Sequence, residues 1–289
     1  MLQSLSVSLL LDPFTVVFVQ RALLTGALVA VICGVVGTWV VLRGMAFLGE
    51  AMAHGMLPGI AVATLLGIPP VLGAAVSAAG MSLGIGALQR RGRLSADTSI
   101  GLLFVASLAL GVIVISASRS FATDATAILF GDILAASSED VLVLSIVAVI
   151  TIAVAVLGHR SFVAVTVDPR QAQLLGLRPQ IAHVLLVGLI TLAVVAAYQA
   201  VGSLLVVGML LGPAVAAGRW ATRIPSTMAL AALIGTASVA IGLFVSWHAG
   251  TAAGATIAFV AIGSAAISAA AHSIFSASGR RRALTERTI

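Results

Sequence analysis

The chain has 289 residues, of which 61% are apolar and only 8% charged, a balance that excludes an ordinary soluble domain. Its formal net charge is +6, yet the basic residues sit at the ends of apolar runs and in short connections, so the charge marks membrane topology rather than affinity for nucleic acid or acidic substrates. All 15 basic residues are Arg, and without a Lys the chain cannot hold a P-loop, so any ATP-driven work needs a separate polypeptide.

Residues 1–15 lack the basic start and small-residue cleavage site of a secretory signal and are expected to be retained as an interfacial segment. Runs long enough to cross hydrocarbon then predict spans near 16–42, 48–67, 69–88, 98–117, 140–158, 181–201, 203–218, 226–247 and 251–275. The expected fold is all-α, a polytopic transmembrane bundle of eight or nine spans over 16–275, with a basic cytoplasmic tail at 276–289. The eight-or-nine ambiguity rests on 203–218, which is short and interrupted by Gly212 and Pro213. A broken helix at membrane depth is tolerated where it lines a cavity, which makes these two residues gating candidates. The small-xxx-small pairs Gly80–Gly84 and Gly250–Gly254 predict close helix contacts. Asp97 is expected to cap the span beginning at Thr98. Cys33, the single cysteine, lies in an apolar run and reads as packing.

Charge sets the orientation. Thirteen of the 15 Arg, among them Arg43, Arg160, Arg178, Arg219, Arg223 and Arg280, fall on one side of the predicted bundle. That side is expected to be cytoplasmic and to hold the C-terminus. Asp12, Asp124, Asp132, Glu139 and Asp140 fall opposite, an acidic rim that ordinary charge asymmetry explains as well as a docking surface does.

The segment RGMAFLGEAMAHGMLPG, residues 43–59, carries the chemistry. Glu50 and His54 stand four residues apart, on one face of a helix, in otherwise apolar surroundings. An ionisable group at membrane depth costs at least ~2.5–3.5 kcal/mol, so it needs a partner or a water-filled route. Carboxylate beside imidazole is a half-site for Mn²⁺, Zn²⁺ or Fe²⁺; the simpler alternative is a helix-packing hydrogen bond. Met45, Met52 and Met56 read as core. His248 reads as interfacial, and His159, His183 and His272 as solvated or capping residues near cytoplasmic ends.

The connection 159–180 contains DPRQAQLLGLRP. Asp168 suits an N-cap, Pro169 the first helical position and Gly176 the position after the C-cap, which predicts a two-turn helix over 169–175. With Arg170, Gln171 and Gln173 beside Ala172, Leu174 and Leu175, it is either a surface helix lying on the bundle or a docking helix for a cytoplasmic partner.

The blocks VVLRGMAFLGEAMAHGMLPGIA (40–61), LSADTSIGLLFVASLALGVIV (94–114), LFGDIL (129–134), VDPRQAQLLGL (167–177) and VGSLLVVGMLLGPAVAA (201–217) follow in an order and spacing that resembles the membrane permease of bacterial manganese/zinc/iron ABC importers. The resemblance runs from about Phe14 to Ile274. It implies a homodimer in the bacterial cell membrane, cytoplasmic ATP-binding subunits and an extracytoplasmic metal-binding protein. It implies that Glu50 and His54 touch the transported metal, with no permanently bound cofactor and no enzymatic activity in this chain. It also implies that Asp168, Pro169, Arg170, Gln171, Ala172, Leu175 and Gly176 form the coupling segment for the ATPase. The family usually has Asp where this chain has Glu50. Two other functions share these features: an ion-gradient-coupled metal carrier with Glu50 and His54 as a proton relay, and an ABC permease for a siderophore or corrinoid.

Overall fold

The computed structural model of the protein describes residues 16–90, 95–116, 131 and 133–285. The expected N-terminal interfacial segment with Asp12, together with Asp124 and Asp132, lies outside the described residues. Among the described residues, eight helices, or end-to-end helix pairs, are long and apolar enough to cross a membrane: α1 (Val17–Leu42), α2 with α3 (Ala46–Gly55 and Leu57–Leu65), α4 (Pro70–Arg90), α5 (Ala96–Ser116), α6 (Ser138–Leu157), α9 (Pro179–Val201), α11 (Ile224–Ala249) and α12 (Ala253–Thr285). Between α6 and α9 lie α7 (His159–Val167) and α8 (Pro169–Leu174), and α10 spans Ser203–Ala217. Helix α12 runs on to Thr285, so the tail expected from residue 276 begins as a continuation of the last span.

The core forms where α1, α10, α11 and α12 meet, and glycines set how closely they pack. A Cβ at Gly34 would lie 2.7 Å from the Ala232 nitrogen of α11, and one at Gly37 would strike the Leu210 carbonyl of α10. Gly212 faces the Ala261 carbonyl of α12 in the same way, and Gly242 packs on Ile257. In lipid, where apolar surface gains little from leaving its surroundings, such close backbone approach is what holds helices together. Of the pairs singled out from the sequence, Gly84 packs on Leu103 of α5, where a Cβ would come within 3.1 Å, whereas Gly80 faces open space and Gly250 is the left-handed C-cap of α11 with φ +63°.

Helix α10 is continuous through Gly212 and Pro213, which corrects the broken helix expected there. The chain reverses at Gly202 (φ 77°, ψ 164°), a backbone region open essentially only to glycine. At about 1.5 Å per residue, 15 residues reach roughly 23 Å, short of the ~30 Å hydrocarbon core, which accounts for the ambiguous span count. Asp97 is also corrected: it lies inside the first turn of α5, and the capping hydroxyl is that of Ser95, which accepts the Thr98 N–H at 3.1 Å. Asp140, placed by sequence in an acidic rim, closes a reciprocal capping box with Ser137 at the start of α6.

The two ends of the bundle are distinct. At one, Gly131 lies against the Val201–Gly202 backbone and Phe18 meets Trp247 at 6.2 Å. At the other, Trp39 packs on α7, and Trp220 donates its indole N–H to Ser268 (2.7 Å), whose hydroxyl donates to the Ala216 carbonyl (2.9 Å). Arg43, Arg160, Arg170, Arg178, Arg219 and Arg223 gather at this second end.

Candidate functional site

Three residues link α1 to α2. Arg43 N–H donates to the Trp39 carbonyl (3.0 Å), Gly44 N–H to Val41 (3.1 Å) and Met45 N–H to Val40 (2.8 Å), with Gly44 at φ +64°. Helix α2 then ends after ten residues for a reason written in the chain. Pro58 has no N–H to offer the His54 carbonyl, so the helix is interrupted at Met56 and restarts as α3 with Pro58 in its first turn. Met56 keeps helical torsions (φ −78°, ψ −20°) and Ala46–Leu65 counts as one span, as expected over 48–67, so what HGMLPG adds is a local break in the hydrogen-bond ladder directly beyond His54.

Phe47, Glu50 and His54 share one face of α2, as i, i+3 and i+7 positions do. The opposite faces are held tightly. Gly49 packs on Leu210 of α10, Gly55 on Met81 of α4, and Ser77 donates to the Gly55 carbonyl at 2.7 Å. Met52 and Met56 are fully buried, as core residues, and Met45 packs against the same core. On the remaining side Phe104 of α5 meets the Phe47 ring edge-on (5.9 Å, 66°) and the His54 ring edge-on (5.8 Å, 62°). Phe104 thus spans the level of Glu50, a neighbour the sequence gave no means of pairing with it.

Glu50 is exposed on the surface of the single chain, whereas His54 is half-buried, with Nδ1 enclosed and without a hydrogen-bond partner among the described residues. Counting from Ala46, Glu50 lies about 6 Å and His54 about 12 Å along the helix axis, the latter near the middle of a ~30 Å core. Among the described residues no group of three or more His, Cys, Asp or Glu comes together, so no third such side chain joins Glu50 and His54 within one chain. His248 is apart from this pair, its Nδ1 2.9 Å from the Phe244 carbonyl on the exposed end of α11. His159 and His272 pack edge-on against Trp39 and Trp220, His159 partly buried and His272 exposed as expected.

The helix expected over 169–175 is present as α8, with both ends as its residues specify. Arg170 N–H donates to Asp168 Oδ1 at 2.7 Å, Pro169 opens the helix, and Gly176 sits at φ +73°. Leu177 N–H returns to the Ala172 carbonyl at 3.0 Å. Ala172 is buried, while Leu174 and Leu175 are 88% and 74% exposed, so the helix offers an apolar tip away from the bundle. A cleft lined by Gln173, Gly176, Leu177 and Pro179 flanks it. What precedes α8 is the helix α7, with Phe162 and Val165 buried, where a loop was expected.

A helical bundle with a carboxylate–imidazole pair on an interrupted helix and an apolar-tipped helix at its Arg-rich end defines a multi-pass membrane permease. The chain belongs to the ABC 3 transport family, whose model matches residues 15–272. It is 38% identical over 244 residues to the manganese transport system membrane protein MntC of Listeria monocytogenes, covering 84% of this chain and 87% of that one. It is 32% identical over 255 residues to the chelated iron transport system membrane protein YfeD of Yersinia pestis, covering 88% and 85%. The structure of PsaBC from Streptococcus pneumoniae in complex with Fab superimposes with a TM-score of 0.81 at 32% identity, covering 91% of this chain and 95% of that one.

Proposed function

We propose that this chain is the permease of an ATP-driven importer that carries a divalent transition metal, Mn²⁺ or Fe²⁺ before Zn²⁺, into a bacterial cytoplasm. The observation that carries the reading is the exposed Glu50 beside half-buried His54 on the interrupted helix α2. A carboxylate on a lipid-facing surface at that depth would cost at least ~2.5–3.5 kcal/mol, so this face opens on a hydrated route or a second copy of the chain. Two copies about a two-fold axis beside α2 and α5 bring together two Glu and two His, a donor set that suits Mn²⁺, Fe²⁺ and Zn²⁺. The preference for manganese or iron follows the relatives' names; the donors alone do not distinguish them.

The Arg-rich end is cytoplasmic by the positive-inside rule, which puts the C-terminus inside. There a separate ATP-binding subunit docks on α8 through Leu174, Leu175 and Arg170, and an extracytoplasmic protein delivers the metal to the opposite end. Gly212 and Pro213 act here as packing residues of α10, and gating falls to the Met56 interruption. The test is manganese uptake by proteoliposomes holding the permease, its ATPase and its binding protein. Glu50→Gln and His54→Ala are expected to lose uptake while the complex still assembles, and uptake at the wild-type rate in both variants removes the assignment.

A further inference from the structure

We infer that Trp39 is the positioning residue through which the docking helix α8 governs helix α2 and so the Glu50–His54 pair; this rests on the transport reading above. Trp39 is completely buried at the end of α1. Its ring meets Phe162 edge-on at 5.4 Å (71°) and His159 at 6.0 Å (61°), both on α7. Helix α7 is joined to α8 by the single residue Asp168 and packs against it. Phe162 is itself enclosed, 1% exposed, with its ring lying under the bend at Gly158, where a Cβ would come within 2.8 Å of it. Close-packed interiors do not deform smoothly, so a shift of α7 carries the indole along or opens a void beside it.

The other side of Trp39 leads to the site. Its carbonyl anchors Arg43 N–H at the turn that starts α2, and Glu50 follows Met45 by five residues. The indole Nε1 has no hydrogen-bond partner among the described residues although it is buried. A buried Trp ordinarily finds one. Shape and ring contacts alone therefore hold this side chain, and it is free to follow α7 without breaking a hydrogen bond. The contact chain from docking helix to metal pair is α8, α7, Phe162 with His159, Trp39, the Arg43–Met45 turn and α2.

The test uses the whole complex of permease, ATPase and binding protein in proteoliposomes and reads manganese moved per ATP hydrolysed, with assembled complex quantified separately. Trp39→Leu, which keeps an apolar side chain and removes the ring contacts, is expected to lower that ratio about tenfold, the size of a coupling carried by a packed contact. Trp39→Phe is expected to recover most of it. Leu243→Ala, a cavity in α11 away from this chain of contacts, is expected to lower yield and leave the ratio alone. A wild-type ratio in Trp39→Leu overturns the inference, as does a fall of equal size in Leu243→Ala. If Trp39→Leu does not assemble, Phe162→Leu carries the same expectation from the other side of the contact, and a wild-type ratio there overturns it. Failure of the transport reading is a different result, a wild-type complex that moves no manganese at all.

Discussion

Replacing Asp168 with Ala tests whether α8 must be folded for the permease to work. The Asp168 carboxylate accepts the Arg170 N–H at 2.7 Å from an extended residue (φ −156°, ψ 112°), the geometry of an N-cap. Removing such a cap costs about 1 kcal/mol. A helix of six residues has little reserve, because isolated helices shorter than about 12–15 residues are marginal in water, and Ala172 is the residue it is shown to bury. A loss of about 1 kcal/mol then lowers the folded population of α8 about fivefold relative to its unfolded form. Manganese uptake by the reconstituted complex is expected to fall by a comparable factor. The thermal unfolding midpoint of the permease should not move, since α8 lies outside the packed spans. Asp168→Asn keeps the capping oxygen without the charge and is expected to retain uptake near wild type. If Asn is as damaging as Ala, the carboxylate works through its charge and the capping argument is wrong; if Ala is harmless, uptake does not depend on an ordered α8.

Two predictions concern the interrupted helix. A methyl at Gly59 would strike the Gly73 carbonyl and lie 2.7 Å from Ser77 Cβ, so Gly59→Ala is expected to destabilise the protein by about 1–3 kcal/mol in detergent unfolding. Gly80→Ala, where the new carbon meets nothing within 4 Å, serves as the neutral comparison. Pro58→Ala supplies the i+4 N–H that proline withholds from the His54 carbonyl, which takes the Met56 N–H instead, and favours one continuous helix across Met56. Uptake is expected to fall while the unfolding midpoint holds or rises, and a variant with full uptake would show that the interruption has no part in transport.

Much of this protein was legible along the chain because lipid leaves few choices. Helices must satisfy their own backbone, so span positions follow from apolar length, and the side facing the cytoplasm is inferred from where the Arg fall. The caps of α8 were readable for a local reason: Asp168, Pro169 and Gly176 act on backbone groups a few residues away. The i, i+4 relation of Glu50 and His54 is local in the same sense.

Where the reading failed, the deciding contacts were remote. Pro213 looked like a helix breaker, but α10 passes through it unbroken, because packing against α1, α11 and α12 holds it in place. Pro58, also buried, sits in the first turn of α3, directly after the break at Met56. The residue type alone does not say which of the two prolines a helix will run through. Gly80 and Gly212 likewise look alike in sequence, yet one faces open space and the other a carbonyl on α12. The sequence by itself determined the class of protein, its spans, its ionisable pair and the short capped helix α8, because these depend on composition and on spacings within one turn or two. Only the tertiary structure decided which glycines touch, that Phe104 stands beside His54, and that Trp39 lies between α7 and the start of α2, because those contacts join residues on different helices.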